Sequence, residues 1–208
     1  MSTFIDFVSI LRRSSIVAFA GLSIALTGCA NFYVDSATKE VPVSSYRKPE
    51  SPPPVQVLFE FQTKGVPNAA VTSHLKAQVI QKVRDSGLFS RVEEGPVQGG
   101  GLLSVKLNNV PLTDDAFSKG FVTGLTFGLA GSKVSDGYIC TVSYLDDGQS
   151  VSVTKSARHA IHTTLGLAAS PGDAVKVASI DEAVIKMTSQ ILSTVLNDLS
   201  QDPAFLPQ

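Results

Sequence analysis

The sequence predicts an α+β domain: one mainly antiparallel sheet of about five strands with two helices on one face, in the order β-α-β-β-β-β-α. Three observations carry this. Several segments alternate apolar and polar residues with a period of two, as half-buried strands do. Two stretches repeat apolar residues every three or four positions, as amphipathic helices do. Turn residues stand between them, and residues 55–202 are enough for one core.

The first strand is VQVLFEF, with Val55, Val57, Phe59 and Phe61 on one face and Gln56, Leu58, Glu60 and Gln62 on the other. After Val66-Pro67-Asn68, the run AAVTSHLKAQVIQKVRDSG places Val71, Leu75, Val79 and Val83 at four-residue spacing beside Ile80. That is one apolar helical face, and Gly87 is placed to end the helix. LFSRVEE reads as a short strand, closed by Gly95-Pro96 and the run Gly99-Gly100-Gly101. LLSVKLNNVPL follows, with Leu103, Val105 and Leu107 on one face. Tyr138, Cys140, Val142 and Tyr144 alternate in the next strand, and Asp147-Gly148 supplies a hairpin turn. Val151, Val153, Ala157 and Ile161 continue on the return strand. In the last helix Ser179 and Glu182 sit at capping-box spacing, Ile180, Val184, Met187, Ile191, Val195 and Leu199 form the apolar face, and Asp202-Pro203 stops it. Residues 203–208 are left as a tail.

The amino terminus reads as an address. Arg12 and Arg13 precede an apolar run of about a dozen residues and small residues at a cleavage point, the layout of a secretory signal. The run is shorter than the roughly 20 residues of a membrane span. The closing tetrapeptide Leu26-Thr27-Gly28-Cys29 resembles the lipobox of bacterial lipoproteins. The resemblance implies that residues 1–28 are removed and that Cys29 carries a diacylglyceryl group and fatty acyl chains such as palmitate, firm enough to anchor. Ala30, where an Asp would retain the protein, implies the outer membrane, periplasmic face. Residues 29–54 then read as the lipidated cysteine and a tether, with Pro42, Pro49, Pro52, Pro53 and Pro54 favouring extended chain. Loss of residues 1–28 removes Arg12, Arg13 and Asp6 and leaves a net charge of −2. That balance argues against a nucleic-acid partner.

A second resemblance rests on Arg84-Asp85-Ser86-Gly87-Leu88-Phe89-Ser90 followed by Val92, a helix-ending turn that leads into a strand. With the order of elements, it is similar to periplasmic lipoproteins that carry a small domain like the TolB N-terminal domain. Penicillin-binding-protein activator lipoproteins, the curli-secretion lipoproteins and auxiliary lipoproteins of transport systems share that layout. The resemblance implies a fold and a place in envelope assembly or transport; a fold alone does not set an activity.

Constellations that carry chemistry are absent from the sequence. With Cys29 lipidated, Cys140 has no intrachain partner and is expected buried in its strand. There is no CxxC, HExxH, GxSxG or phosphate-loop pattern, so no metal, cofactor or enzymatic activity is expected. His159 and His162 fall on opposite faces of a strand, and His74 lies beside the first helix's apolar stripe. Asp114-Asp115, Asp146-Asp147, Asp181-Glu182 and Glu93-Glu94 are adjacent carboxylates of the kind found in turns and helix starts.

What stands out is segment 117–134, in which thirteen residues between Lys119 and Lys133 carry no charge. Phe121, Leu125, Phe127 and Leu129 share one parity with Thr123, while Val122, Gly124, Thr126, Gly128 and Ala130 make a nearly bare opposite face. Three readings stay open: packing on the domain's own sheet, an exposed surface for a partner or acyl chains, or insertion into a membrane. Phe117, Phe121, Leu125, Phe127 and Leu129 are the candidate interaction surface. The leading expectation is a non-enzymatic lipoprotein, membrane-bound through Cys29, that binds an envelope protein; the alternative is a lipid-carrying module built on 117–134. The sequence sets no oligomeric state.

Overall fold

A computed structural model describes residues 30–112, 134–147, 152–165, 172 and 174–206. The expected signal, Cys29, Asp114-Asp115 and the candidate residues Phe117, Phe121, Leu125, Phe127 and Leu129 lie outside the described residues.

Among the described residues the strands are β1 (Ala30–Val34), β2 (Pro54–Thr63), β3 (Val66–Pro67), β4 (Arg91–Glu93), β5 (Gly101–Pro111), β6 (Val134–Leu145), β7 (Val153–Leu165) and β8 (Val175–Val177). The helices are α1 (Ala69–Asp85) and α2 (Ile180–Ser200). All eight strands form one sheet in the order β3-β2-β5-β6-β7-β1-β8, with β4 also on β2. β2 runs parallel to β4 and β5, and every other pairing is antiparallel.

The alternating residues explain the core. Val55 pairs with Gly101, and Val57, Phe59 and Phe61 sit in register beside Leu103, Val105 and Leu107, which in turn lie beside Tyr144, Val142 and Cys140. This face is covered by both helices through Leu75, Val79, Ile80 and Val83 of α1 and Met187, Ile191, Val195 and Leu199 of α2. Burying one such side chain stabilises by roughly 1.5–3 kcal/mol. Cys140 is buried there, and burial pushes its thiol up to about 12.

The helix ends follow their sequence signals. Asn68 caps α1 by accepting from the Val71 N–H at 3.2 Å. At its far end Gly87 takes φ of +66°, a conformation that penalises a Cβ. The Ser86 hydroxyl accepts from the Leu88 N–H, and this locks Leu88 and Phe89 into the core. Ser179 accepts from the Glu182 N–H at 3.1 Å, and Glu182 reaches back to the Ala178 N–H at 2.8 Å.

Four expectations are corrected. The sheet has eight strands rather than five, because β1, β3 and β8 are too short to show a period. The chain over 30–54 is not a free tether. Its first five residues are β1, paired on both sides, and Asp35 to Arg47 then crosses to the helix layer as a strap over α2. Apart from a 3-10 turn at Val43–Ser45, the strap has no regular structure to pair its backbone, so it takes partners from the helix: the Val41 N–H donates to Ser193 Oγ, Tyr46 Oη to the Ser193 carbonyl, and the Arg47 N–H to Ser200 Oγ. Residues 203–206 are not a loose tail either, since Phe205 and Leu206 are buried. Finally Ile180, expected on the buried face of α2, is 44% exposed.

Candidate functional site

Two places combine polar chemistry with defined geometry. The first is inside. On β7, His159 faces the helices and His162 the opposite side, and both are fully buried. The Ala160 N–H donates to His159 Nδ1 at 2.8 Å, so the other ring nitrogen carries the proton and Nε2–H donates to Gln190 Oε1 at 2.9 Å. Burial holds the His159 pKa below its usual value, partly opposed by the bond to Gln190. His162 Nε2 lies 3.2 Å from Asp35 Oδ2, and Asp35 Oδ1 accepts from the Ala37 N–H at 2.8 Å. The Asp35 N–H itself donates to the Ala160 carbonyl. Together these contacts clamp the end of β1 to β7. Acid–base work on a substrate needs an accessible ring edge, and both partners of this pair are closed from solvent.

The second place is a groove of about 720 Å³ where α1 and α2 end. One wall is the extended run Arg47, Lys48, Pro49, Glu50, Ser51 and Pro53; the other is Ala204 to Leu206, with Tyr144 and Asp146 between. Tyr144 and Phe205 meet edge to face at 5.1 Å, and Phe89 packs on both rings. Tyr144 Oη donates to Asp146 Oδ1 at 2.8 Å; burial, then this carboxylate, raises the phenol's pKa. A Cβ on Gly101 would come within 2.6 Å of the Tyr144 ring and 2.7 Å of the Leu145 carbonyl, so the floor admits only glycine there. The Lys48 ammonium lies over Gly87, which puts a cation at the carboxyl end of α1, and the Arg47 N–H donates to Ser200 at the end of α2. Arg47, Lys48 and Glu50 make no salt bridge among the described residues.

Of the other residues singled out in the sequence, His74 pairs with Asp181 at 2.7 Å on the surface, joining the second turn of α1 to the first turn of α2. Asp146 serves the groove. Among the described residues no three His, Cys, Asp or Glu side chains group to hold a metal, and no helix is long and apolar enough to cross a membrane. Asp35, Gln190 and the groove walls carried no local signal. The walls come from three segments brought together only by the fold, with Asp35 inside the supposed tether and Gln190 off the apolar stripe.

No protein-family model matches the chain, and no curated protein matches it. Among solved structures it is similar to PelC from Paraburkholderia phytofirmans, solved as a dodecamer, at 12% identity over 82% of this chain and 99% of that one, with a TM-score of 0.34. It is also similar to a minor lipoprotein from Acinetobacter baumannii, at 16% identity over 69% of this chain and 84% of that one, with a TM-score of 0.25. Likenesses of that size carry no argument about what this chain does.

Proposed function

We propose that the chain is a non-enzymatic lipoprotein of the outer membrane, anchored on the periplasmic face through Cys29, whose domain binds a partner in envelope assembly or transport. The observation that carries this reading is the tetrapeptide Leu26-Thr27-Gly28-Cys29, set directly before Ala30, the first residue of a sheet strand. An anchor at Cys29 fixes the domain at one end of its sheet. The groove then lies at the other end, facing away from the bilayer. Its charges of both signs, Arg47, Lys48, Glu50 and Asp146, around an aromatic floor suit a polypeptide segment better than an acyl chain.

Metabolic labelling with a palmitate analogue tests the anchor. Wild type is expected to take up label, lose residues 1–28 and stay with the membrane pellet. Cys29→Ala is expected to do none of the three. Equal membrane retention of both proteins would sink the reading. Lipid co-purifying with the detergent-free domain in native mass spectrometry would favour the lipid-carrying alternative instead.

A further inference from the structure

The first half of β7 is paired on one edge only. Toward β6 its register runs without a bulge from Val153–Tyr144 to Thr163–Val134. On the other edge β1 covers Ile161 to Leu165 and stops. Past Val34 the chain touches this edge twice more: the Asp35 N–H donates to the Ala160 carbonyl, and Thr38 Oγ1 to the Arg158 carbonyl at 2.8 Å. It then leaves the sheet for α2, where the Val41 N–H meets Ser193. Among the described residues, Val153 to Arg158 is therefore an open strand edge about 20 Å long.

Parity says which backbone groups stand on it. In an antiparallel strand the N–H and C=O of one residue point to the same edge, and successive residues alternate. The carbonyls of Ala160 and Arg158 point away from β6, since Asp35 and Thr38 reach them. Ser156 and Thr154 follow the same parity. Two N–H and two C=O groups thus face outward, and no strand among the described residues takes them. Accessibility changes at the same place: half-buried and exposed residues alternate from Val153 to Arg158, whereas His159 to His162 are buried.

Sheet edges are commonly blunted, and β3 and β8 show how. β3 ends in Pro67, which has no N–H, and β8 is three residues long with Lys176 in its middle. The open half of β7 contains no proline and no bulge. Its central lysine does not guard it either, because Lys155 Nζ is drawn in to Asp202 at 2.7 Å. Thr154 and Ser156 are exposed on the face away from the helices, and Val153 and Ala157 pack against the core on the other.

We infer that this edge takes an extended segment of another polypeptide as an added strand. Its apolar β-branched residues would lie beside Val153 and Ala157, and its hydroxyl residues beside Thr154 and Ser156. Backbone hydrogen bonds supply the attraction and the alternate side chains the selectivity. A second copy of this chain fits less well. The self-pairing that uses all four outward groups of both copies sets their Lys155 side chains directly opposite one another, and like charges there destabilise. The edge lies outside the groove, and the inference stands with or without lipid on Cys29.

Fluorescence polarisation tests it, with the full chain in detergent micelles titrated into a short fluorescein-labelled peptide that alternates Val and Thr. Ser156→Pro removes an outward N–H and leaves the β6 pairing intact, since proline is tolerated where its nitrogen faces solvent. It is expected to weaken binding at least about tenfold, while Ser156→Ala binds like wild type. Undiminished binding to Ser156→Pro would put the peptide elsewhere, the groove included, and overturn the inference. So would absence of binding to wild type. A concentration-dependent dimer of the wild type that is lost in Ser156→Pro would make a second copy the occupant, and overturns it as well. If Ser156→Pro fails to fold, a peptide N-methylated on alternate amides replaces it, and equal binding of the two peptides overturns the strand pairing.

Discussion

The two helices lie side by side on one face of the sheet, yet they are buried very differently. Of α1, four side chains are buried, all on the stripe facing the sheet. In α2 ten are buried, and they include Thr188, Ser193 and Ser200. The strap accounts for the difference: residues 35–47 cover the back of α2, so that helix has apolar contacts in front and extended backbone behind. Ser193 and Ser200 each donate to a carbonyl three residues back and accept a strap N–H with the same oxygen. In α1, Thr72 plays the matching part toward the sheet, accepting the Phe61 N–H and donating to the Asn68 carbonyl. Hydroxyls inside a helix are poor helix formers, and here Ser193, Ser200 and Thr72 satisfy backbone N–H groups of the strap and of β2.

The largest test of this contrast removes the strap. A chain beginning at Arg47 loses buried Tyr33, Val34 and Tyr46. At roughly 1.5–3 kcal/mol each, the loss approaches the whole stability of a domain. Urea unfolding should show cooperative melting for a chain beginning at Ala30 and little for the shorter one. Equal midpoints would restore the free tether. Smaller is Ser193→Ala, which strips the Val41 N–H of its acceptor and should cost about 1–2 kcal/mol. Ser73→Ala, on the exposed side of α1, should stay within about 0.5 kcal/mol. A similar cost at both positions would erase the distinction between the helices.

The smallest effect lies in pH. His159 bonds Gln190 of α2, lies beside Tyr138 in the sheet, and has Asp35 and His162 within electrostatic reach. Its pKa is lowered in the folded state, so below about 6.5 the unfolded chain takes up a proton that the folded chain refuses. Its stabilising contribution is complete above that pH and is lost as pH falls toward the folded value. Urea midpoints at about pH 7.5 and 5.5 should therefore diverge in wild type and converge in His159→Gln. An unchanged slope in the variant would remove His159 as the cause.

Much of this architecture was readable from the sequence, and the exceptions have physical reasons. Long periods spoke clearly: α1, α2, β2 and β5 stand where Val71 to Val83, Met187 to Leu199, Val55 to Phe61 and Leu103 to Leu107 placed them. β1 was lost because Asn31, Phe32, Tyr33 and Val34 are too few to alternate and are followed by a proline-rich run. Proline reports an extended chain, not a free one. The groove was invisible for another reason, since Arg47, Tyr144 and Phe205 become neighbours only after the sheet and helices assemble. Opposite faces for His159 and His162 followed from strand parity. Their complete burial did not, because strand parity carries no information about what covers a face.

The strand that opens the domain also governs how it would bear force. Hydrogen bonds between antiparallel strands run across the strand axis. A pull at residue 29 along β1 therefore loads the five pairs from Ala30–Leu165 to Val34–Ile161 together in shear, and they cannot open one at a time like a zipper. With β8 gripping the other edge of β1 and Asp35 clamped beyond it, tension at the amino terminus passes straight into the centre of the sheet. An anchor at Cys29 would thus be a mechanical joint without play. Drag on anything held at the far groove would be transmitted to the amino terminus as torque through a rigid lever about 40 Å long.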